Sequence, residues 1–175
     1  GVETGRKRNP AAPYLAPLLA IFGTAMICGA FASGFDRFYA LRVLAAAGVL
    51  WYFRKTYAAW RWTWNWGAFS IGVAVFAVWM ALASVASKPT SADPLATGLL
   101  NMPTGWTAIW LIFRIVGAVV TVPLAEELAF RGYLMRRLIA GDFEAVPFGR
   151  LTWWSFLGSS VLFGLVHGHW LAGAL

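Results

Sequence analysis

The stretch "TAIWLIFRIVGAVVTVPLAEELAFRGYLMRRL", Thr107–Leu138, decides the fold. From Thr107 to Ala125 it is a nearly unbroken apolar run. Its length is about the 20 residues that a helix rising 1.5 Å per residue needs to cross roughly 30 Å of hydrocarbon. Glu126 and Glu127 then follow side by side, in a chain with only 7 acidic residues. Adjacent carboxylates beside hydrocarbon are costly unless something neutralises them or uses them. The sequence therefore has to be read for what surrounds that pair.

Composition sets the class. The 175 residues are 60% hydrophobic and 12% charged, with a mean hydropathy of +0.67, which is far from a soluble domain. Aromatics make up 17%, including 11 Trp, as expected where side chains meet a lipid–water boundary. The formal charge of +7 comes from short basic clusters between apolar runs. That pattern fits connections lying on an anionic lipid surface, and no basic module for nucleic acid is visible. The single cysteine, Cys28, excludes an intramolecular disulfide. We read an all-α, polytopic membrane helical bundle, a single integral-membrane domain over residues 1–175, with membrane lipid as its surroundings. A basic segment, 1–13, opens it, and the motif-bearing core is 106–175.

About five spans follow from apolar length. They run from about Tyr14 to Ala32, Phe38 to Phe53, Trp66 to Ala86, Trp106 into the acidic motif, and onward from Trp153. Arg42, near the start of the second, can snorkel to the interface, and Arg114 can snorkel or pair within the bundle. The run "WRWTWNW", Trp60–Trp66, reads as an aromatic belt rather than a stacking platform for bases or sugars. "SKPTSADPLATGLLNMPTG" reads as a surface linker. Arg6, Lys7, Arg8, Arg54, Lys55, Arg61, Arg136, Arg137 and Arg150 fall on one side of this alternation, Arg37 and Lys88 on the other. The bias puts the N-terminus and the 137–150 connection in the cytoplasm. The chain starts at Gly1 and stops in the apolar "HWLAGAL", so we expect a fragment, cut at both ends.

Helical spacing separates the two carboxylates. Adjacent residues diverge by about 100° around a helix axis, while Glu127 and Arg131, at i,i+4, can meet as an ion pair. Glu126 lies on another face, so its partner must come from another helix. His167 is the candidate. Glu126 lies about 18 Å before a turn at Leu138 and His167 about 21 Å after a restart at Trp153, so an antiparallel hairpin sets them at similar depth. A carboxylate and an imidazole so placed can activate a water for hydrolysis, or supply two metal ligands. The plainer readings are an interfacial charge cluster, a structural histidine, or a proton relay in a transporter. His169 falls on nearly the opposite face and reads as interfacial or supporting.

Glu126-Glu127-x-x-x-Arg131 followed by Phe163-x-x-x-His167 resembles the paired motifs of the CAAX-protease and bacteriocin-processing intramembrane endopeptidases. The flanking "AEELAFRGYLMRRLI" and "DFEAVPFGRLTWWSFLGSSVLFGLVHGHWLAG" are similar to the branch associated with exosortase and PEP-CTERM sorting in bacteria. The resemblance covers roughly Trp110–Leu175. It implies an all-helical membrane enzyme of the bacterial cytoplasmic membrane with a polar cavity open to the cytosol, hydrolysing a peptide bond in a membrane-anchored protein or peptide. By carry-over Glu126 is the general base, assisted by His167; Glu127 with Arg131 braces the site, and Phe163 packs beside it. Where such a site works with a divalent metal such as zinc, Glu126 and His167 are the implied ligands. The family's further His-x-x-x-Asn/Asp motif does not occur here, since the only histidines are His167 and His169, an absence we expect truncation to explain. The alternative is a non-enzymatic immunity, scaffold or transport component on the same fold.

Overall fold

The computed structural model describes residues 9–31, 35–58, 60, 65–86 and 94–166. His167 and His169, the basic residues 6–8, Arg61 and Lys88 lie outside the described residues. Seven helices occur among those described, and no strand: α1 (Ala12–Ala30), α2 (Tyr39–Tyr52), the short α3 (Arg54–Ala58), α4 (Trp66–Ala86), α5 (Pro94–Leu100), the long α6 (Thr104–Ile139) and α7 (Trp153–Val166). The all-α class and the helix positions agree with the sequence reading. Helices α1 and α6 are long and apolar enough to cross a membrane, and α4, with 21 residues, has the length. Helices α2 and α7 have 14 residues each, shorter than a perpendicular span requires. The expected surface linker also holds more order than expected, because α5 forms within it behind Pro94, a residue suited to a helix start.

Two prolines shape the long helices. Pro17 lies inside α1 and is fully buried. Lacking an N–H, it cannot donate to the carbonyl of Pro13 four residues earlier. The hydroxyl of Tyr57, from α3, donates to that carbonyl instead, at 2.5 Å. In α6, Pro123 likewise withholds a donor from Val119. The backbone there widens into a π-turn over Gly117–Thr121, where the Val122 N–H reaches back five residues to the carbonyl of Gly117. A second π-helical stretch, Glu127–Leu134, follows immediately after Glu126.

One face of α6 carries small residues every fourth position: Gly117, Thr121, Ala125 and Ala129, all buried. Small side chains let helix backbones approach closely, where dispersion contacts take over the role that the hydrophobic effect plays in water. Helices α1 and α2 pack on this face. Leu18 and Ile21 of α1, Ala46 of α2, and Ala125 and Ala129 of α6 form one core, edged by Leu15, Val122 and Phe130. A second core joins Tyr39 and Val43 of α2 to Trp110 of α6. A Cβ on Gly117 would run into the ring and hydroxyl of Tyr39, and one on Gly132 would come within 2.7 Å of the Tyr14 ring. Helix α7 returns along the other side of α6, with Leu138 against Gly158 and Phe130 against Phe163. Its start is fixed by Thr152, whose hydroxyl accepts from the Ser155 N–H at 3.2 Å, while the Ser155 hydroxyl accepts from the Thr152 N–H at 3.0 Å. This reciprocal arrangement is that of a capping box.

Candidate functional site

The two carboxylates sit where α6 passes from α-helical to π-helical winding, and the structure separates them. Glu127 and Arg131 meet at 3.0 Å as an i,i+4 pair, with side chains 52% and 73% exposed respectively. Glu126 is half-buried and lies one turn before Phe130. The Phe130 ring packs edge-on against Phe163 of α7, with centroids 5.0 Å apart and planes at 77°. Glu126 and Phe130 thus share the side of α6 that meets α7. Phe163, expected beside the motif, meets Phe130 edge-on.

Glu126 is six residues from Gly132, the position where Tyr14 touches α6, which places it about 9 Å further along the helix axis. Ala125, beside it, is completely buried against α1 and α2. A cavity of about 10 Å³ lies one turn away, lined by Ile21, Tyr39, Arg42, Val43, Thr121 and Val122. That is room for one water and no substrate. Among the described residues no three His, Cys, Asp or Glu side chains come together as metal ligands. Of the two implied ligands only Glu126 lies among the described residues.

Sequence reasoning missed a heavily bonded side chain among the described residues. Arg136 was expected among the charges of a connection, yet it is 4% exposed. Its Nε donates to the carbonyl of Val146 at 2.8 Å, Nη1 to the carbonyl of Gly132 at 3.0 Å and Nη2 to the carbonyl of Glu144 at 3.2 Å. The Tyr14 hydroxyl adds a longer contact at 3.4 Å. The guanidinium lies 4.3 Å from the Phe148 ring centroid and 5.4 Å from that of Phe143. Gly149, at φ +82, allows the turn that presents Phe148. Tyr14 in turn stacks on Trp60, at 5.2 Å and 20°. Trp60 therefore joins this knot; residues 61–64 lie outside the described residues. The knot binds the end of α6, the start of α1 and the 140–150 connection into one cap. The available signal was the pair of aromatics, Phe143 and Phe148, in the connection that follows the arginine.

The other two arginines expected to snorkel or pair also find partners. Arg42 meets Asp36 at 2.7 Å. That contact is Coulombic rather than an aligned hydrogen bond, since neither Asp36 oxygen nor Arg42 Nε has a hydrogen-bond partner among the described residues. Arg114 lies 4.6 Å from the centre of the Tyr39 ring, so it pairs within the bundle.

Residues 108–175 match the family model described as Type II CAAX prenyl endopeptidase Rce1-like. The match contains the acidic motif, Arg136 with the 140–150 connection, and α7. No curated protein and no solved structure matches the chain.

Proposed function

We propose that this chain acts as an intramembrane endopeptidase of the CAAX-protease type, hydrolysing a peptide bond in a membrane-associated protein or peptide. The observation that carries the reading is the register of α6 and α7, taken with the family match over the same residues. Phe130 faces Phe163, and the two helices run antiparallel. One turn back from Phe130 is Glu126, and one turn on from Phe163 is position 167. His167 lies outside the described residues; the sequence spacing alone makes it our proposed partner of Glu126.

In the proposed reaction Glu126 takes a proton from a water that His167 helps to hold, and the water oxygen bonds to the substrate carbonyl carbon. The C–N bond then breaks, and the proton passes from Glu126 to the departing amine. No covalent acyl-enzyme forms. Arg131 holds Glu127 away from this exchange, so that one carboxylate stays charge-paired while the other transfers protons. A divalent metal, where used, would polarise the same water, with Glu126 and His167 as ligands. The flanking sequence further supports the exosortase-associated branch and a bacterial inner-membrane location. The surplus of arginine and lysine at the end holding the α1 start supports that end as cytoplasmic, even with Arg136 removed from the tally.

The test is cleavage of a membrane-anchored reporter by the full chain, its Glu126→Gln and His167→Ala variants, and Arg131→Ala. We expect the first two to lose at least about 100-fold in rate. Arg131→Ala should lose activity while changing stability by no more than about 0.5 kcal/mol, the scale of an exposed i,i+4 pair. Wild-type rates in both Glu126→Gln and His167→Ala would sink the assignment. A wild-type chain that cleaves nothing would favour the non-enzymatic reading.

A further inference from the structure

A second polar cluster lies at the opposite end of the bundle from the Arg136 knot. The turn between α1 and α2 carries Asp36 and Arg37. Trp110 of α6 docks on that turn, its indole N–H donating to the Asp36 carbonyl at 2.8 Å, its ring 5.2 Å from Phe35. The Tyr39 ring is the floor of the cluster. Arg42 lies 5.7 Å from its centre and Arg114 lies 4.6 Å from it. Both guanidiniums are thus within about 10 Å of each other, astride one aromatic ring.

The charges there do not balance. Among the described residues Asp36 is the one carboxylate in the cluster, and it is engaged by Arg42. Arg114 is exposed and makes neither an ion pair nor a hydrogen bond among the described residues. Arg37 is also exposed. Arg114 nevertheless stands in the apolar run of α6, one turn inside Trp110 and two turns inside Trp106, which is 62% exposed. Helical side chains lean towards the helix N-terminus, so the Arg114 guanidinium reaches from there towards the α1–α2 turn and the boundary where tryptophan collects. A guanidinium at such depth needs an acceptor, because five unmet N–H donors beside hydrocarbon are costly. Exposed Leu41, Leu111 and Ile115 flank it, so whatever supplies the acceptor has hydrocarbon attached.

We propose that Arg114, with Arg42 and Arg37, binds the phosphodiester headgroup of an anionic lipid in the leaflet that meets the α1–α2 turn. The planar guanidinium of Arg114 accommodates two phosphate oxygens side by side, while the acyl chains lie along Leu111 and Ile115. This site is separate from the Glu126 face and does not rest on the peptidase reading.

The experiment is lipid retention by the purified full chain, read by native mass spectrometry after equilibration with equal phosphatidylglycerol and phosphatidylcholine. The wild type should retain phosphatidylglycerol preferentially. Arg114→Gln should reduce that preference roughly fivefold, the contribution of one basic residue near an anionic surface. Arg114→Lys should restore part of it. Arg54→Gln, an exposed arginine stacked on Trp51 elsewhere in the chain, should leave it unchanged. Trp fluorescence verifies that each variant is folded. An unchanged preference in Arg114→Gln, or an equal loss in Arg54→Gln, overturns the proposal. Displacement of the retained lipid by millimolar inorganic phosphate also overturns it, since the site would then take a soluble anion.

Discussion

Replacing Arg136 by alanine should be the most damaging single substitution outside the cores. The side chain is 4% exposed, so solvent neither screens its interactions nor readily replaces them. Three carbonyls, of Gly132, Glu144 and Val146, accept from it at 2.8–3.2 Å. A hydrogen bond to a charged group contributes about 1.5–3 kcal/mol, but members of one network do not add fully. Water can reach part of the emptied space at the end of the bundle. Balancing these, we expect a loss of about 4 kcal/mol, with lysine at the same position losing about half of that, since an ammonium cannot span three carbonyls in different directions. Denaturant titration in mixed micelles, followed by Trp fluorescence, measures the change. Hydrogen exchange should localise it, with amides of residues 143–150 losing protection before those of α1 and α2. A loss below about 1 kcal/mol, or exchange unchanged in that connection, would refute the view of Arg136 as the organising cation.

Two further outcomes follow from the same end of the molecule. Burial, with the neighbouring Tyr14 adding to it, pushes the Tyr57 hydroxyl from 10.0 up to about 12. The stability it contributes is complete below pH 10 and is lost as pH rises towards 12. Tyr57→Phe should flatten this alkaline loss in a pH titration of unfolding, and should cost about 1–3 kcal/mol at neutral pH by removing the donor to the Pro13 carbonyl. Gly132→Ala places a methyl 2.7 Å from a Tyr14 ring that is held between Trp60 and Phe143. With neither side able to yield, thermal unfolding should show a loss of about 1–3 kcal/mol.

Much of this architecture is written in local periodicity. Apolar length placed α1, α2, α4, α6 and α7 within a few residues, and i,i+4 spacing paired Glu127 with Arg131. Equal rise on either side of a turn set Glu126 level with His167, a pairing that lies outside the described residues. The small-residue face at Gly117, Thr121, Ala125 and Ala129 was equally visible as a four-residue period, yet apolar composition concealed it, because lipid-facing and core-facing positions look alike in a membrane helix. The fate of the charges was less legible. Arg136 and Arg137 are neighbours of identical chemistry, and only the folded 140–150 connection decides which of them is buried. Asp36 and Arg42 are in turn drawn together by the α1–α2 turn. The π-turns left no mark beyond Pro123, since ladder register depends on the whole length of α6.

The bond from Tyr57 to the Pro13 carbonyl has a consequence for biogenesis. As the chain emerges from the ribosome, α1 reaches the membrane with a gap in its own ladder, opened by Pro17. The group that closes the gap is synthesised 44 residues later. Helix α1 is therefore a provisional helix during insertion, completed only once α2 has turned back and delivered α3 to its base. Co-translational assembly has a built-in checkpoint there: a nascent chain that fails to form the α1–α2 hairpin keeps an unmet carbonyl at its first turn, and with it a reason to rearrange before α6 arrives.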